Sequence, residues 1–180
     1  MITQVNPNDP RVKRTRQLLL QAFTELVHEQ SFEAISVQDI AARATLNRAT
    51  FYAHFDDKYA LLDATIGASF TDALRKRLPA DAALCEEDTI RRLILTVCDF
   101  HLDLSTQCKR SFQTLESFME PRIIAHLQES VQACLARRET LRKVGTDRLE
   151  VVATAASWSI YGVVLRWDRM GRLQSPESAR

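Results

Sequence analysis

The stretch Ser36-VQDIAARATLNRATFYAHFDDKYALL-Asp63 decides the fold. Ser36 and Asp39 stand at the spacing of a capping box, in which a hydroxyl accepts the third helical N–H and the acid reaches back to the cap. A short helix therefore opens here and carries Val37, Ile40, Ala41 and Ala44 as its apolar positions. Thr45-Leu46-Asn47 breaks it, and Arg48 to Phe55 forms a second short helix with Phe51 and Phe55 at i and i+4 facing inward. Two short helices joined by a tight turn make a helix-turn-helix.

Upstream, Asp9-Pro10 starts a helix, because a carboxylate can cap free N–H groups and proline in the first turn loses no bond it needed. Leu19, Ala22, Phe23, Leu26 and Val27 share its buried face. Arg11, Lys13, Arg14 and Arg16 crowd its N-terminal end, where the helix dipole favours anions. A bound phosphate would supply the missing negative charge; a solvated, fraying terminus is the plainer alternative. Downstream, Asp56-Asp57 caps a helix with Leu61, Leu62, Ile66, Phe70, Ala73 and Leu74 inward, ending at Leu78-Pro79. At about 1.5 Å per residue it is roughly 30 Å long, enough to join a head to a body.

The whole chain has 180 residues, 46% hydrophobic and 26% charged, with only four glycines and five prolines. That composition, rich in helix formers, predicts an all-α protein. With 24 basic against 23 acidic residues, net charge gives no hint of a polyanionic partner, so a nucleic-acid face has to come from local clustering. There is no signal-like or membrane-spanning apolar run, so we expect a cytoplasmic protein without a membrane partner. Cys85, Cys98, Cys108 and Cys134 lack paired spacing and read as reduced thiols. Cys98 and His101 share a helix face, but no second ligand pair accompanies them and we expect neither metal nor cofactor. Cys108, ahead of Lys109-Arg110, is the best placed of the four for redox reactivity.

After a loop at 80–84, helical spacing marks one helix through Ile90, Leu93, Ile94, Val97, His101 and Leu104, and a shorter one through Phe112, Leu115 and Phe118. Pro121 then starts another, with Ile124, Leu127, Val131, Cys134, Leu135 and Leu141 buried before Gly145 stops it. The last helix, Asp147 to Met170, is apolar all round, and a partner subunit is its natural cover. Small Ala155, Ala156, Ser159 and Gly162 permit close approach, while Trp158, Val163 and Trp167 add area. The helix started by Pro121 would be the second member of such a homodimer interface.

The quoted stretch resembles the TetR/AcrR regulators, whose head reads IAxxAGVS followed by TFYxHFxxKxxLL. Ile40, Ala41, Ala44, Thr50, Phe51, Tyr52, His54, Phe55, Lys58, Leu61 and Leu62 fit that pattern. The chain departs from it at Thr45 for the turn glycine, at Leu46 and Asn47 for valine and serine, and at Ala49 for a second glycine. The likeness covers about a third of the chain, Arg11 to Ile66. It implies a helix-turn-helix domain over 1–55, a connecting helix over 56–78 and a helical effector-binding and dimerisation domain over 79–180. It also implies a homodimeric repressor on palindromic double-stranded operator DNA, released by a small-molecule effector.

A recognition helix presents its N-terminal residues to base edges in the major groove. Arg48 can pair with guanine, the methyls of Ala49 and Thr50 can meet thymine, and Asn47 either contacts a base or caps the helix. Tyr52 and His54 are expected outward, where their polar tips suit phosphate oxygens or base edges, and the resemblance makes Tyr52 and Lys58 phosphate contacts. Ser36, through its hydroxyl and N–H, and Arg14, in the basic arm, are further candidates. In the body, His101, Phe112, Phe118, Met119 and Trp158 are candidate effector-pocket residues, with ordinary core packing as the alternative. An enzyme would need a catalytic triad, a phosphate loop or clustered carboxylates, and the sequence offers none. A protein-only adaptor would show no salt-dependent DNA affinity.

Overall fold

The computed structural model describes residues 9–78, 87–107, 112–136 and 145–171. They form seven α-helices and one 3-10 turn: α1 Pro10–Glu29, the turn Phe32–Ala34, α2 Val37–Arg43, α3 Arg48–Tyr52, α4 Lys58–Arg77, α5 Glu87–Gln107, α6 Phe112–Ala136 and α7 Thr146–Arg169. Contacts divide the chain into two units, one reaching Ile66 and taking in Ser105–Ser117, the other formed by Gly67–Leu104 and the chain from Phe118 onward. The boundary thus falls inside α4, which runs from one unit into the other.

In the first unit, Asp9 caps α1 by accepting from Arg11 N–H at 2.8 Å. Leu19, Phe23 and Leu26 of α1 are buried with Phe32, Ile35, Ile40, Phe51, Phe55 and Leu61. The Phe23 and Phe32 rings meet edge to face at 6.0 Å between centroids. Arg43 fastens α2 to α1 through a two-pronged pair with Glu29 at 2.6 and 2.9 Å.

The capping box forms in full: Asp39 N–H donates to Ser36 Oγ at 3.2 Å and Ser36 N–H to Asp39 Oδ2 at 2.9 Å. At the other end of α2, Leu46 N–H reaches Ala41 O at 2.8 Å and Thr45 N–H reaches Ala42 O at 3.0 Å. That bonding pattern closes a helix on a residue in the left-handed region, usually glycine. Here it is Thr45, at φ 56°. A β-branched residue there carries roughly 1–2 kcal/mol of steric cost. The turn keeps the geometry that a glycine would give and carries strain for it.

In the second unit, Phe70 of α4 packs on Phe100 of α5 with centroids 5.2 Å apart. Leu93, Val97, Leu127, Val131, Tyr161 and Val164 are buried in the same unit. The end of α4 is fixed by an Arg77–Asp99 ion pair and by Arg92 Nη1 donating to Arg77 O at 3.1 Å.

Pro121 does not start a helix: it lies inside α6, so the two expected helices are one. An interior proline costs about 3 kcal/mol. Met119, Ile123, Ile124 and Leu127 are all buried on either side of it, each contributing about 1.5–3 kcal/mol. Arg122 Nη1 also donates to Phe118 O at 2.9 Å beside the proline. Gly145, expected as a stop, is the residue from which α7 starts. The loop at 80–84, Cys85, Cys108, Leu141 and the chain beyond Gly171 lie outside the described residues.

α7 has two apolar faces. Ala153, Ser157, Ile160, Tyr161 and Val164 are buried, while Val151, Val152, Trp158 and Val163 are 68, 50, 54 and 42% exposed. Ala155, Ser159 and Gly162 are exposed as well, with Ala156 and Trp167 between the two faces. No helix among the described residues is long and apolar enough to cross a membrane.

Candidate nucleic-acid interface

α3 is held from behind and open in front. Phe51 is wholly buried and packs on Phe55 with centroids 5.9 Å apart. The helix is shorter than the expected Arg48–Phe55, ending at Tyr52, yet Phe55 is still buried because its N–H reaches Phe51 O at 3.0 Å and carries the turn onward. Arg48 and Ala49 are exposed and Thr50 half-buried. Tyr52, 49% exposed, sets its ring edge-on against Phe51 at 5.5 Å. The recognition positions therefore protrude from a rigid aromatic base.

Asn47 is occupied as the cap of α3: its Oδ1 accepts from Thr50 N–H at 2.7 Å and from Thr50 Oγ1 at 3.0 Å. Ser36 is likewise engaged, because its hydroxyl donates to Asp39 Oδ2 at 2.6 Å. Those bonds hold the Asp39 carboxyl below the usual carboxylate range. The Asp39 carboxylate thus sits at the start of α2, against the Ser36 hydroxyl and N–H.

Lys58 is turned inward. Its Nζ donates to Phe32 O at 2.9 Å, Glu33 O at 3.2 Å and Ile35 O at 2.9 Å, and lies 4.5 Å from the centre of the Phe32 ring. An ammonium has three protons. All three are used inside the head, where this lysine pins the turn that leads into α2.

The cations of α1, Arg11, Lys13, Arg14 and Arg16, are all exposed. Arg14 stands free of α1's buried face, and Arg16 lays its guanidinium over the Phe55 ring at 4.4 Å from the centroid. Arg16 is also close enough to His54 to matter electrostatically. Burial first, and the Arg16 charge second, push the His54 imidazole below its ordinary value. Sequence reading grouped Arg16 with the basic arm and gave it no separate role; its spacing from Phe55 across 39 residues leaves no local signal.

The candidate effector residues differ in their surroundings. His101 and Met119 are each 2% exposed, inside the second unit, with His101 Nδ1 3.9 Å from Asp168 Oδ1. Phe118 is half-buried under the Arg122 guanidinium, 3.3 Å from its ring centre. Trp158 faces outward, because its α7 neighbour Ser157 takes the inward direction and adjacent helical residues point about 100° apart. The Phe112 side chain lies outside the described residues. Burial pushes the Cys98 thiol up to about 11, which keeps it protonated. Among the described residues, no group of three or more His, Cys, Asp or Glu is placed to hold a metal ion.

Comparison with known proteins agrees with this geometry. Residues 19–65 match the family model for bacterial regulatory proteins of the tetR family. The chain is 37% identical over 67 residues to the HTH-type transcriptional regulator YxbF of Bacillus subtilis (strain 168), a match covering 37% of this chain and 18% of that protein. It is 38% identical over 66 residues to the HTH-type transcriptional repressor Rv3405c of Mycobacterium tuberculosis (strain ATCC 25618 / H37Rv), covering 35% of each. The matches thus span well under two thirds of these relatives and are confined to the length of a head. The fold extends further. The crystal structure of the TetR family repressor AlkX from Dietzia sp. strain DQ12-45-1b, implicated in biodegradation of n-alkanes, superposes with a TM-score of 0.54 over 83% of each chain at 16% identity.

Proposed function

We propose that this chain, which carries the DNA-binding head of the TetR family of bacterial transcription regulators, acts as a homodimeric repressor released from its operator by a small molecule. The matches to regulators over the head support reading the protein as a regulator in preference to an enzyme. The observation that carries the proposal is the construction of α3: Arg48, Ala49 and Tyr52 stand exposed on a helix whose Phe51 is fully buried. Arg48 reads a guanine, Ala49 and Thr50 meet thymine methyls, and Tyr52, Arg14, Arg16 and His54 bind phosphates. Ser36, Asn47 and Lys58 shape the head that presents them.

The outward face of α7 is the dimer surface. Val151, Val152, Trp158 and Val163 are large and exposed, and exposed apolar area of this kind on one helix marks a partner site. Gly162 supports close approach, since a Cβ built there meets nothing within 4 Å in the protomer. α7 and the later part of α6 from each subunit would make the four-helix interface. The effector binds within the second unit, near His101 and Met119, and acts by preferring one placement of α4 over another.

The test is binding of duplex DNA at graded salt. A dimer neutralising four or more phosphates gives a slope in log K against log salt of about −4 or steeper, at roughly −0.9 per phosphate. The Val163→Glu variant should sediment as a monomer and lose tight binding. Salt-independent or absent DNA affinity in the wild type would sink the regulator reading, and a dimeric Val163→Glu would sink the interface.

A further inference from the structure

Gly67 is a buried residue in the interior of α4, where glycine weakens a helix relative to alanine. Its missing side chain has a specific occupant. A Cβ at Gly67 would stand 2.6 Å from His126 Cε1, 2.7 Å from Nε2 and 3.3 Å from Nδ1, so the imidazole of α6 fills the space and lies directly against the α4 backbone. Both residues belong to the second unit. On its own helix, the ring's Nδ1 lies 3.5 Å from Glu129 Oε2. Gly162, by contrast, has open space where its Cβ would be; the glycine in α4 is used up within the protomer.

We propose that the imidazole of His126 seated on Gly67 is the positioning contact through which the second unit holds α4, and that its fit sets operator affinity. This deepens the repressor reading and rests on it. Gly67 is the first residue of α4 past the contact boundary, and the helix continues without a break back to Lys58 in the head. A rigid helix carries a small displacement along its length, so the contact that fixes α4 at Gly67 also fixes what α4 delivers to the DNA. Neither residue touches DNA. The pair changes affinity through placement, leaving the number of phosphates neutralised as it was.

Steric compensation tests this. Gly67→Ala, His126→Ala and the double variant are compared with the wild type on a fluorescein-labelled duplex selected by the wild-type protein from random sequences, well below each Tm. Each single variant should change the operator Kd by about 3- to 10-fold, and the double variant, in which the new methyl enters the vacated space, should return to within about twofold. The slope of log K against log salt should stay at the wild-type value throughout. If Gly67→Ala does not fold, His126→Ala decides alone, since removing a half-buried ring adds no clash. Variants with lowered Tm but wild-type Kd would reduce the pair to packing and overturn the proposal. A wild type that selects no duplex would overturn the repressor reading, and the proposal with it.

Discussion

Lys58→Met removes three charge-assisted hydrogen bonds while keeping an unbranched apolar stem of similar length. Two of the acceptors, Phe32 O and Ile35 O, are part-buried and each lies 2.9 Å from Nζ; the third, Glu33 O, is exposed at 3.2 Å. A hydrogen bond from a charged group contributes about 1.5–3 kcal/mol, so the two part-buried bonds give about 3 kcal/mol at the low end. The Phe32 ring, 4.5 Å away, adds about 0.5 kcal/mol. Ordering a lysine side chain costs about 1.5 kcal/mol. The net is about 2 kcal/mol, or roughly a 30-fold rise in the opened fraction of the head. Trp158 and Trp167 both lie in the second unit, so tryptophan fluorescence would miss the change. Amide hydrogen exchange over residues 32–40 should detect it, with protection falling by that factor. DNA affinity should weaken on all sequences alike, at an unchanged salt slope. Unaltered exchange together with a salt slope shallower by about two per dimer, one phosphate from each head, would refute the argument and restore Lys58 as a backbone contact.

Arg48→Ala should relax specificity at one symmetric pair of operator positions by about 1–3 kcal/mol and leave binding to random duplex nearly unchanged; uniform loss on every sequence would move base reading to Ala49 and Thr50. His54 titrates below its ordinary value in the free head, and nearby phosphates would raise it, so operator binding takes up protons. Affinity should therefore tighten as pH falls from about 7.5 to about 6, a dependence absent in His54→Gln; the folding stability of the free protein should move the other way, falling as pH drops below about 6.5, because the unfolded state binds the proton more readily. Thr45→Gly relieves the residue at φ 56° but gives up the 2.7 Å bond from Thr45 Oγ1 to Ala44 O, for a net gain of about 0.5–1 kcal/mol and a Tm higher by about 2 °C; an unchanged or lower Tm in calorimetry would show that the hydroxyl offsets the strain.

What was legible in the sequence was written in residues a few positions apart. Asp9-Pro10, the Ser36/Asp39 box and the Phe51/Phe55 pair each act over four residues or fewer, so the chemistry that forms them can be read off the chain directly. Pro121 was misread by the same logic, since its local cost is real and only the burial of residues from Met119 to Leu127 outweighs it. The candidate site divides along this line. Arg48, Ala49 and Tyr52 are exposed because Phe51 beside them is inward, and sequence spacing sufficed to say so. Lys58 could be given a direction only by knowing that carbonyls 23 to 26 residues upstream lie within reach of its amine. The resemblance gives the position a phosphate role, and only the bonds across the head give the lysine a structural one. His126 and Gly67, 59 positions apart, carry no pattern at all, because a glycine chosen for another helix's side chain looks in sequence like any weak point in a helix. The caps and the α3 aromatic pair are local and legible, whereas the Lys58 contacts and those that place α4 join segments distant in the chain. The proposed Gly67/His126 contact is therefore encoded across helices with no local pattern, and the exchange of the two residues is the measurement that reaches it.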